Sequence, residues 1–153
     1  MLFRSSVSDT AWVLRFRYVI STQTRNSTGW DIFPCIGLSS ADYNTAENAS
    51  QDGIVFSPYQ DNIVRPYYIT WGDAQNLSGD IGSGNTRVRA FTETVTAGDD
   101  YYVELKRTSS TSVTCSLYTN STYTTLFESQ TATIPSTITG LRYLCIKNRV
   151  NGQ

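Results

Sequence analysis

The residues of this sequence that could do chemistry are carboxylates and aromatic side chains, because the chain contains no histidine. A Ser-His-Asp triad, a Cys-His dyad and a His-based zinc site are therefore excluded. Glu93 and Glu104 are the carboxylates on predicted strands, and if those strands pair, the two face each other. Glycoside hydrolysis needs two carboxyl groups about 5 to 9.5 Å apart. The alternative is two solvent-facing glutamates near Arg89 and Lys106, and we predict that the protein is not an enzyme.

A second set of carboxylates lies on predicted loops. Its members are Asp42, Asp52, Asp61, Asp73 and Asp80. Carboxylate oxygens on flexible loops suit Ca²⁺, although no run here has the spacing of an EF-hand. Asp52 and Asp61 flank one predicted hairpin and are the candidate metal ligands. The alternative is that these aspartates are solvated residues of turns.

Aromatic rings beside polar loops are the other candidate site. The loops predicted over 39–52 and 72–85 are polar, Tyr43 lies within the first, and Trp71 precedes the second. Sugars present apolar C–H faces, so exposed rings next to hydrogen-bonding groups suit a glycan. The candidate ligand-binding residues are Tyr43, Trp71, Asp73 and Asn76. Core packing is the alternative for the two rings, and for Trp12 it is the expectation.

The three cysteines are Cys35, Cys115 and Cys145. They match no zinc spacing and lie in predicted strands. Two interpretations are open: three small buried apolar side chains, or a Cys115–Cys145 bridge that leaves Cys35 free. A catalytic thiol lacks the histidine or the cluster of cations that would form a thiolate.

Length and charge limit the class of protein. A chain of 153 residues fits one domain, 1–153. A net charge of -1 argues against nucleic-acid binding, which calls for a basic excess. No apolar run approaches the roughly 18 residues of a membrane span, so we predict no membrane insertion. The start, MLFRSSVSD, lacks the apolar core of a secretory signal, so the chain as given is not the exported precursor.

Surface chemistry adds two weaker indications. Four arginines take outward positions on two predicted strands: Arg15, Arg17, Arg87 and Arg89. As neighbours these strands would form a basic stripe for acidic partners; the alternative is a solvated sheet face. Four N-x-[ST] sequons lie in predicted loops, at Asn26, Asn48, Asn76 and Asn120. They favour an extracellular setting.

Hydrophobic alternation predicts an all-β fold. The stretch 100–127 reads as a three-stranded meander, in which Tyr101, Val103 and Leu105 alternate with polar side chains. Including that meander, strands are predicted over 11–20, 31–38, 53–59, 63–71, 86–95, 101–106, 113–118, 123–127, 131–134 and 141–147. About ten short strands joined by polar turns indicate two packed antiparallel sheets, a sandwich or jelly roll.

Two segments carry a family resemblance. They are SDTAWVLRFRYVI with the following IGLSS, and YYVELKRTSSTSVTCSLYTNSTYTTLFES with TIPSTITGLRYLCIKN. Together, over about half the chain, they resemble the concanavalin A-like lectin/glucanase superfamily, and most of all the laminin-G-like jelly-roll modules of environmental, archaeal and viral surface proteins. The resemblance implies a concanavalin A-like jelly roll, and in such modules Ca²⁺ is often bound by loop aspartates and backbone carbonyls.

The sequence departs from that family at two points. Strands usual before Trp12 and after Asn148 are not evident, so terminal strands are missing or an open sheet edge accepts a strand from another subunit. The Glu-x-Asp-x-x-Glu run of the glucanases is absent. We therefore predict a non-enzymatic module, extracellular or on a virion or cell surface, that binds a glycan or surface glycoprotein. The alternative is a structural subunit of a surface layer, fibre or virion, forming a homo-oligomer or filament; a glycoside hydrolase is a distant third.

Overall fold

The computed structural model describes residues 7–19, 34–40, 52–59, 68–74, 86–93, 95–96 and 98–148. Within these ranges the chain forms β-strands and no helix. The strands are β1 (Trp12–Val19), β2 (Pro34–Ser39), β3 (Gly53–Tyr59), β4 (Tyr68–Ala74), β5 (Thr86–Ala90), β6 (Asp100–Ser109), β7 (Ser112–Tyr118), β8 (Leu126–Thr133) and β9 (Tyr143–Asn148).

The strands form two antiparallel sheets. One has four strands in the order β1-β6-β7-β8, and the other has five in the order β5-β4-β3-β2-β9. Every described strand pair is antiparallel. The predicted all-β class with two antiparallel sheets is confirmed.

The meander predicted from the alternation forms three adjacent strands of the four-stranded sheet, because β6, β7 and β8 are neighbours in chain order. The prediction is wrong about its last strand. The strands expected over 123–127 and 131–134 are one strand, β8, with a register shift between Leu117 and Tyr118 on its partner β7. Tyr123 lies in the preceding turn with φ 56°, a backbone conformation that no strand contains.

The inner faces of the two sheets share one hydrophobic core. On the four-stranded sheet, Leu14 is opposite Leu105 and Phe16 is opposite Val103. Phe56 of β3 meets Phe16 and Tyr18 edge to face, with ring centroids 5.5 and 5.3 Å apart. Trp12 is half-buried and packs against the same cluster, as expected. Burial of each large apolar side chain contributes about 1.5 to 3 kcal/mol, so this sandwich-like packing holds the sheets together.

Residues 37–39 of β2 and 53–56 of β3 are buried on both faces of their sheet. Gly37 and Leu38 point to opposite sides of the sheet and both are buried, as predicted from the continuous apolar run. A Cβ atom at Gly37 would overlap the carbonyl oxygen of Ile54 and lie 2.8 Å from Cγ1 of Val55. Glycine is therefore required where β3 comes this close. Pro34 begins β2, one of the positions a proline tolerates.

Two of the alternatives left open by the sequence are not realised. The basic stripe required the strands that carry the four arginines to be neighbours, but β1 and β5 belong to different sheets. Of the two interpretations of the cysteines, the Cys115–Cys145 bridge is not realised, because Cys115 is a free, fully buried thiol. Burial raises the pKa of Cys115 well above 9.0, so the thiol stays protonated and inert.

Arg107 is the largest fully buried side chain among the described residues, only 1% exposed. Its guanidinium donates to three backbone carbonyls: Nε to Ser109 at 3.1 Å, Nη2 to Ser110 at 2.7 Å and Nη1 to Ile138 at 2.8 Å. Burial lowers the pKa of Arg107 and the nearby carboxylate of Asp9 opposes that shift, but an arginine remains charged. The side chain thus fixes the β6–β7 turn against the segment that leads from β8 to β9.

We expect Arg107→Lys to lower the free energy of unfolding by about 3 kcal/mol, because an ammonium cannot reach three carbonyls from one planar fork and leaves buried acceptors unpaired. Urea denaturation measures the change. Arg142→Lys, at an exposed arginine, is the matched control and should stay within about 0.5 kcal/mol of the parent. Equal stability of the two variants would contradict the role given to Arg107.

Candidate functional site

The four-stranded sheet carries a polar and aromatic surface on the side turned away from the core. Alternation places every second residue there, and the strand registers bring them into rows. We call this surface the outer face. Its central residues are Arg15, Arg17, Tyr102, Glu104, Lys106, Thr114, Ser116, Tyr118, Ser129 and Thr131.

Two ion pairs organise the charges of the outer face. Arg15 on β1 is the register partner of Glu104 on β6, and its Nε lies 2.6 Å from Oε2 of that carboxylate. Glu104 is 8% exposed, so the pair is partly desolvated. Nη2 of Arg17 lies 2.6 Å from Oδ1 of Asp100, and the hydrogen bond raises the pKa of Arg17. Both guanidinium groups are thus matched by carboxylates.

Three tyrosine rings cluster beside these pairs. Tyr123 meets Tyr118 and Tyr102 edge to face, at centroid distances of 5.5 and 6.0 Å. The guanidinium carbon of Arg15 lies 4.6 Å from the centroid of the Tyr123 ring, a cation–π contact. Desolvation raises the pKa of Tyr123; Arg15 opposes that shift and Glu104 adds to it. The phenol is therefore neutral at physiological pH.

The loop 119–125 holds Tyr123 over the sheet, and Asn120 organises that loop. Oδ1 of Asn120 accepts hydrogen bonds from the backbone N–H groups of Thr124 and Thr125, both at 3.0 Å. Its Nδ2 donates to the hydroxyls of Thr122 at 2.9 Å and Thr124 at 2.7 Å. These bonds stabilise the left-handed conformation of Tyr123. A glycan attached to Nδ2 would remove one of the two donated bonds, which argues against use of the predicted sequon here.

Paired hydroxyl groups cover the β7–β8 side of the outer face. Thr114 and Thr131 are register partners with hydroxyl oxygens 2.8 Å apart, and Ser116 and Ser129 are partners with oxygens 2.7 Å apart. Thr131 and Ser129 are exposed. We call these four residues the hydroxyl ladder. A hydroxyl both donates and accepts, so each pair keeps hydrogen-bonding capacity for a ligand.

The carboxylate pair considered for hydrolysis is not formed. Glu93 lies in the bend that follows β5, β5 pairs with β4, and Glu104 is on β6 of the other sheet. The backbone N–H of Glu93 instead donates to Oε2 of Glu128 at 2.9 Å. The strands therefore do not bring the two glutamates face to face.

The residues predicted to bind a ligand or metal are only partly within the described ranges. Tyr43, Asn76 and Asp61 lie outside them. Trp71 and Asp73 lie inside β4, opposite Phe56 and Ile54 of β3, and not at the start of a loop as expected, because β4 continues to Ala74.

Asp52 precedes β3 and is half-buried. Its backbone N–H donates to Oγ of Ser40 at 3.0 Å, and its carbonyl accepts from the Ser40 N–H at 2.8 Å. Desolvation raises the pKa of Asp52, and a hydrogen bond from the backbone of Thr139 opposes the shift. Among the described residues, no three His, Cys, Asp or Glu side chains cluster as metal ligands would.

The outer face was missed as a site by sequence reasoning, although one signal for it exists. The alternation through β6 and β7 puts Tyr102, Glu104 and Tyr118 on the same outward side. Two partly exposed tyrosines near a glutamate on one sheet face indicate more than a solvated surface. No pattern in the sequence indicates that Tyr123 folds back onto them.

We expect Asn120→Ala to release Tyr123 from the outer face and to lower the free energy of unfolding by about 1 to 2 kcal/mol, because four side-chain hydrogen bonds are lost. Loss of nuclear Overhauser contacts between Tyr123 and Tyr118 measures the release. Asn120→Asp is the matched control, since it keeps both acceptor bonds to the backbone. Unchanged ring contacts in the alanine variant would show that the loop does not depend on Asn120.

Asp52 predicts a pH dependence of stability. Its pKa in the folded state is raised above the ordinary value of 3.8, so the folded state binds the proton more tightly than the unfolded state. Stability contributed by this group is therefore present below that value and is lost as the pH rises through the folded-state pKa. We expect the free energy of unfolding of Asp52→Asn, compared with that of the parent, to rise as the pH increases from about 3 to about 7, because only the parent must ionise this side chain. Urea titrations at several pH values measure this, and a constant difference would contradict the assignment.

Comparison of the chain with protein-family models, curated proteins and solved structures gives no match. In the described part of the chain, no helix is long and apolar enough to span a membrane. The functional argument therefore depends on the geometry of the outer face itself.

Proposed function

We propose that this protein is a non-enzymatic carbohydrate-binding module and that the outer face of the four-stranded sheet is its binding surface. The observation that carries the proposal is the position of Tyr123. A seven-residue loop, 119–125, is organised by one asparagine side chain so that an aromatic ring lies on a polar sheet face. The left-handed backbone conformation of this tyrosine costs free energy unless the surrounding structure stabilises it.

The surface combines the two kinds of contact that a sugar needs. The rings of Tyr102, Tyr118 and Tyr123 offer apolar area with a hydroxyl at the edge. The hydroxyl ladder offers donors and acceptors through its two exposed members, Ser129 and Thr131 on β8. Because the positions belong to a sheet, the groups are held at fixed spacings before a ligand arrives, which lowers the entropy cost of binding.

The charges of the outer face favour binding over catalysis. A general acid needs a carboxyl group free to exchange its proton with the substrate. Glu104 is instead held by two nitrogens of Arg15 and is nearly buried. This supports a module without hydrolytic activity.

We further propose that the two sheets are those of a concanavalin A-like jelly roll on an extracellular, virion or cell surface. The chain passes between the sheets at β1–β2, β5–β6 and β8–β9, and β9 returns to pair with β2. Such long returns are typical of jelly-roll folds. The family resemblance and the sequons support the surface setting. Calcium bound near Asp52 and Asp61 remains part of the proposal because loop carboxylates suit that ion.

A structural subunit is the second candidate, and a separate observation favours it. The large apolar side chains that are exposed among the described residues all lie on strands at the ends of the sheets. They are Val13 and Val19 on β1, Leu126 on β8 and Ile146 on β9. Apolar residues on sheet edges favour association with another chain. Sedimentation velocity over a range of concentrations tests this candidate.

The first experiment is binding to a broad glycan array, with calcium and again with chelator. We expect binding by the parent and by Tyr123→Phe, which keeps the ring, and at least about tenfold weaker binding by Tyr123→Ala. Loss of binding in chelator would support the calcium site, whereas binding that is indifferent to chelator would remove the metal from the proposal.

The control is the fold of each variant, measured by its urea midpoint. Glycan binding that survives Tyr123→Ala in a folded protein would exclude the outer face as the binding surface. If folded parent protein binds no glycan and self-associates with rising concentration, the structural subunit replaces the carbohydrate-binding module.

A further inference from the structure

We infer that the ligand of the outer face is an uncharged glycan chain that lies along the hydroxyl ladder, and that anionic glycans are rejected. The inference rests on the proposed function and specifies its ligand class. It comes from the charge pairing of the surface and from the row of hydroxyl groups.

The first step is that both arginines already have a carboxylate partner, although their side chains are more than half exposed. Arg15 gives Nε and Nη2 to Glu104, and Arg17 gives Nη2 to Asp100. A ligand carboxylate that paired with Arg15 would leave the nearly buried Glu104 without its cation. An unpaired buried charge is strongly unfavourable, so the ion pair acts against anionic ligands.

The charges of the outer face nearly cancel. Glu104 and Asp100 on β6 offset Arg15 and Arg17 on β1, so Lys106 is the one cation left over. Lys106 is the remaining charged residue of the outer face and is exposed, so its ammonium is hydrated and attracts anions weakly. A single exposed ammonium is not the cluster of cations that binds uronic acids or sulfated sugars.

The second step is that the hydroxyl ladder suits neutral sugars. In each of its two pairs one hydroxyl donates to the other, which leaves one hydrogen and several lone pairs per pair for a ligand. Sugar hydroxyls need both a donor and an acceptor, whereas a carboxylate only accepts. Successive pairs on β7 and β8 repeat at about 6.8 Å along the strands, so the ladder presents a track and not a single pocket.

The third step is the end of the track. Tyr118 follows Ser116 at the next outward position of β7, and Tyr123 packs on its ring. A chain lying on the ladder meets these rings at one end. Neutral pyranose rings stack there through their C–H faces, which places polar contacts and apolar contact along one line.

The test compares sugars that differ only at C6, which is a hydroxymethyl group in the neutral sugar and a carboxylate in the uronate. Hexamers of β-1,4-linked mannose and mannuronate, and of β-1,4-linked glucose and glucuronate, are titrated into the ¹⁵N-labelled protein by NMR at about 20 mM and about 300 mM NaCl. We expect a neutral hexamer to shift the amides of β7 and β8, with an affinity that salt changes less than about twofold. Its uronate counterpart should bind at least about tenfold more weakly.

Variants separate the ladder from the rest of the surface. Thr131→Val keeps the shape and removes one exposed hydroxyl, and it should weaken binding of the neutral hexamer by about fivefold or more. Ser136→Ala removes an exposed hydroxyl between β8 and β9, away from the ladder, and should change nothing. Neutral binding that is unaffected by Thr131→Val would overturn the track.

The remaining outcomes distinguish this inference from the proposed function. Tighter binding of the uronates, weakened by salt and by Lys106→Gln, would overturn the inference and leave a carbohydrate-binding protein. Absence of binding by all four hexamers and by the glycan array would overturn the proposed function together with the inference. Neutral-only binding that depends on Thr131 supports both.

Discussion

The fold depends on the charged side chain of Arg107, which is buried at the point where the two sheets are joined. Ser109 is the last residue of β6, Ser110 belongs to the β6–β7 turn, and Ile138 belongs to the chain that crosses from β8 to β9. Each of their carbonyls needs a donor if it is to be buried. One guanidinium provides all three donors. It thereby allows Ile134, Ile138 and Leu141 to close the core without leaving these three carbonyls unsatisfied.

Much of this fold follows from alternation in the sequence. β1, β6 and β7 each have one apolar and one polar side, and their positions were predicted to within three residues. The pattern weakens where both faces are buried or where turns are long. The prediction accordingly placed β4 too early in the chain and ended β5 too late, because alternation alone does not show where a strand ends. Pairing between distant strands, such as β1 with β6, leaves no periodic signal, and this is why the sequence alone left the arginine stripe and the cysteine bridge open as alternatives.

The candidate site was harder to predict than the fold, for a physical reason. Outward positions of Tyr102, Glu104 and Tyr118 follow from strand periodicity. The position of Tyr123 depends on its own left-handed backbone conformation in the middle of a polar turn. This conformation is rare for a tyrosine. The side chain of Asn120 stabilises that conformation together with backbone hydrogen bonds of the loop, and Asn-Ser-Thr is also an ordinary composition for a solvated turn. The sequence therefore indicated a turn but not a ring packed on the sheet.

The ion pair between Arg15 and Glu104 joins residues 89 positions apart, and this separation has a consequence for folding order. β6, β7 and β8 are joined by short turns and can pair early, since closing a short loop costs little entropy. β1 pairs with β6 across a long stretch of intervening chain. Until this pairing forms, neither Tyr123 nor Glu104 has its contact with Arg15. The surface proposed to bind sugar is therefore completed late, so ligand binding would report that the four-stranded sheet has closed.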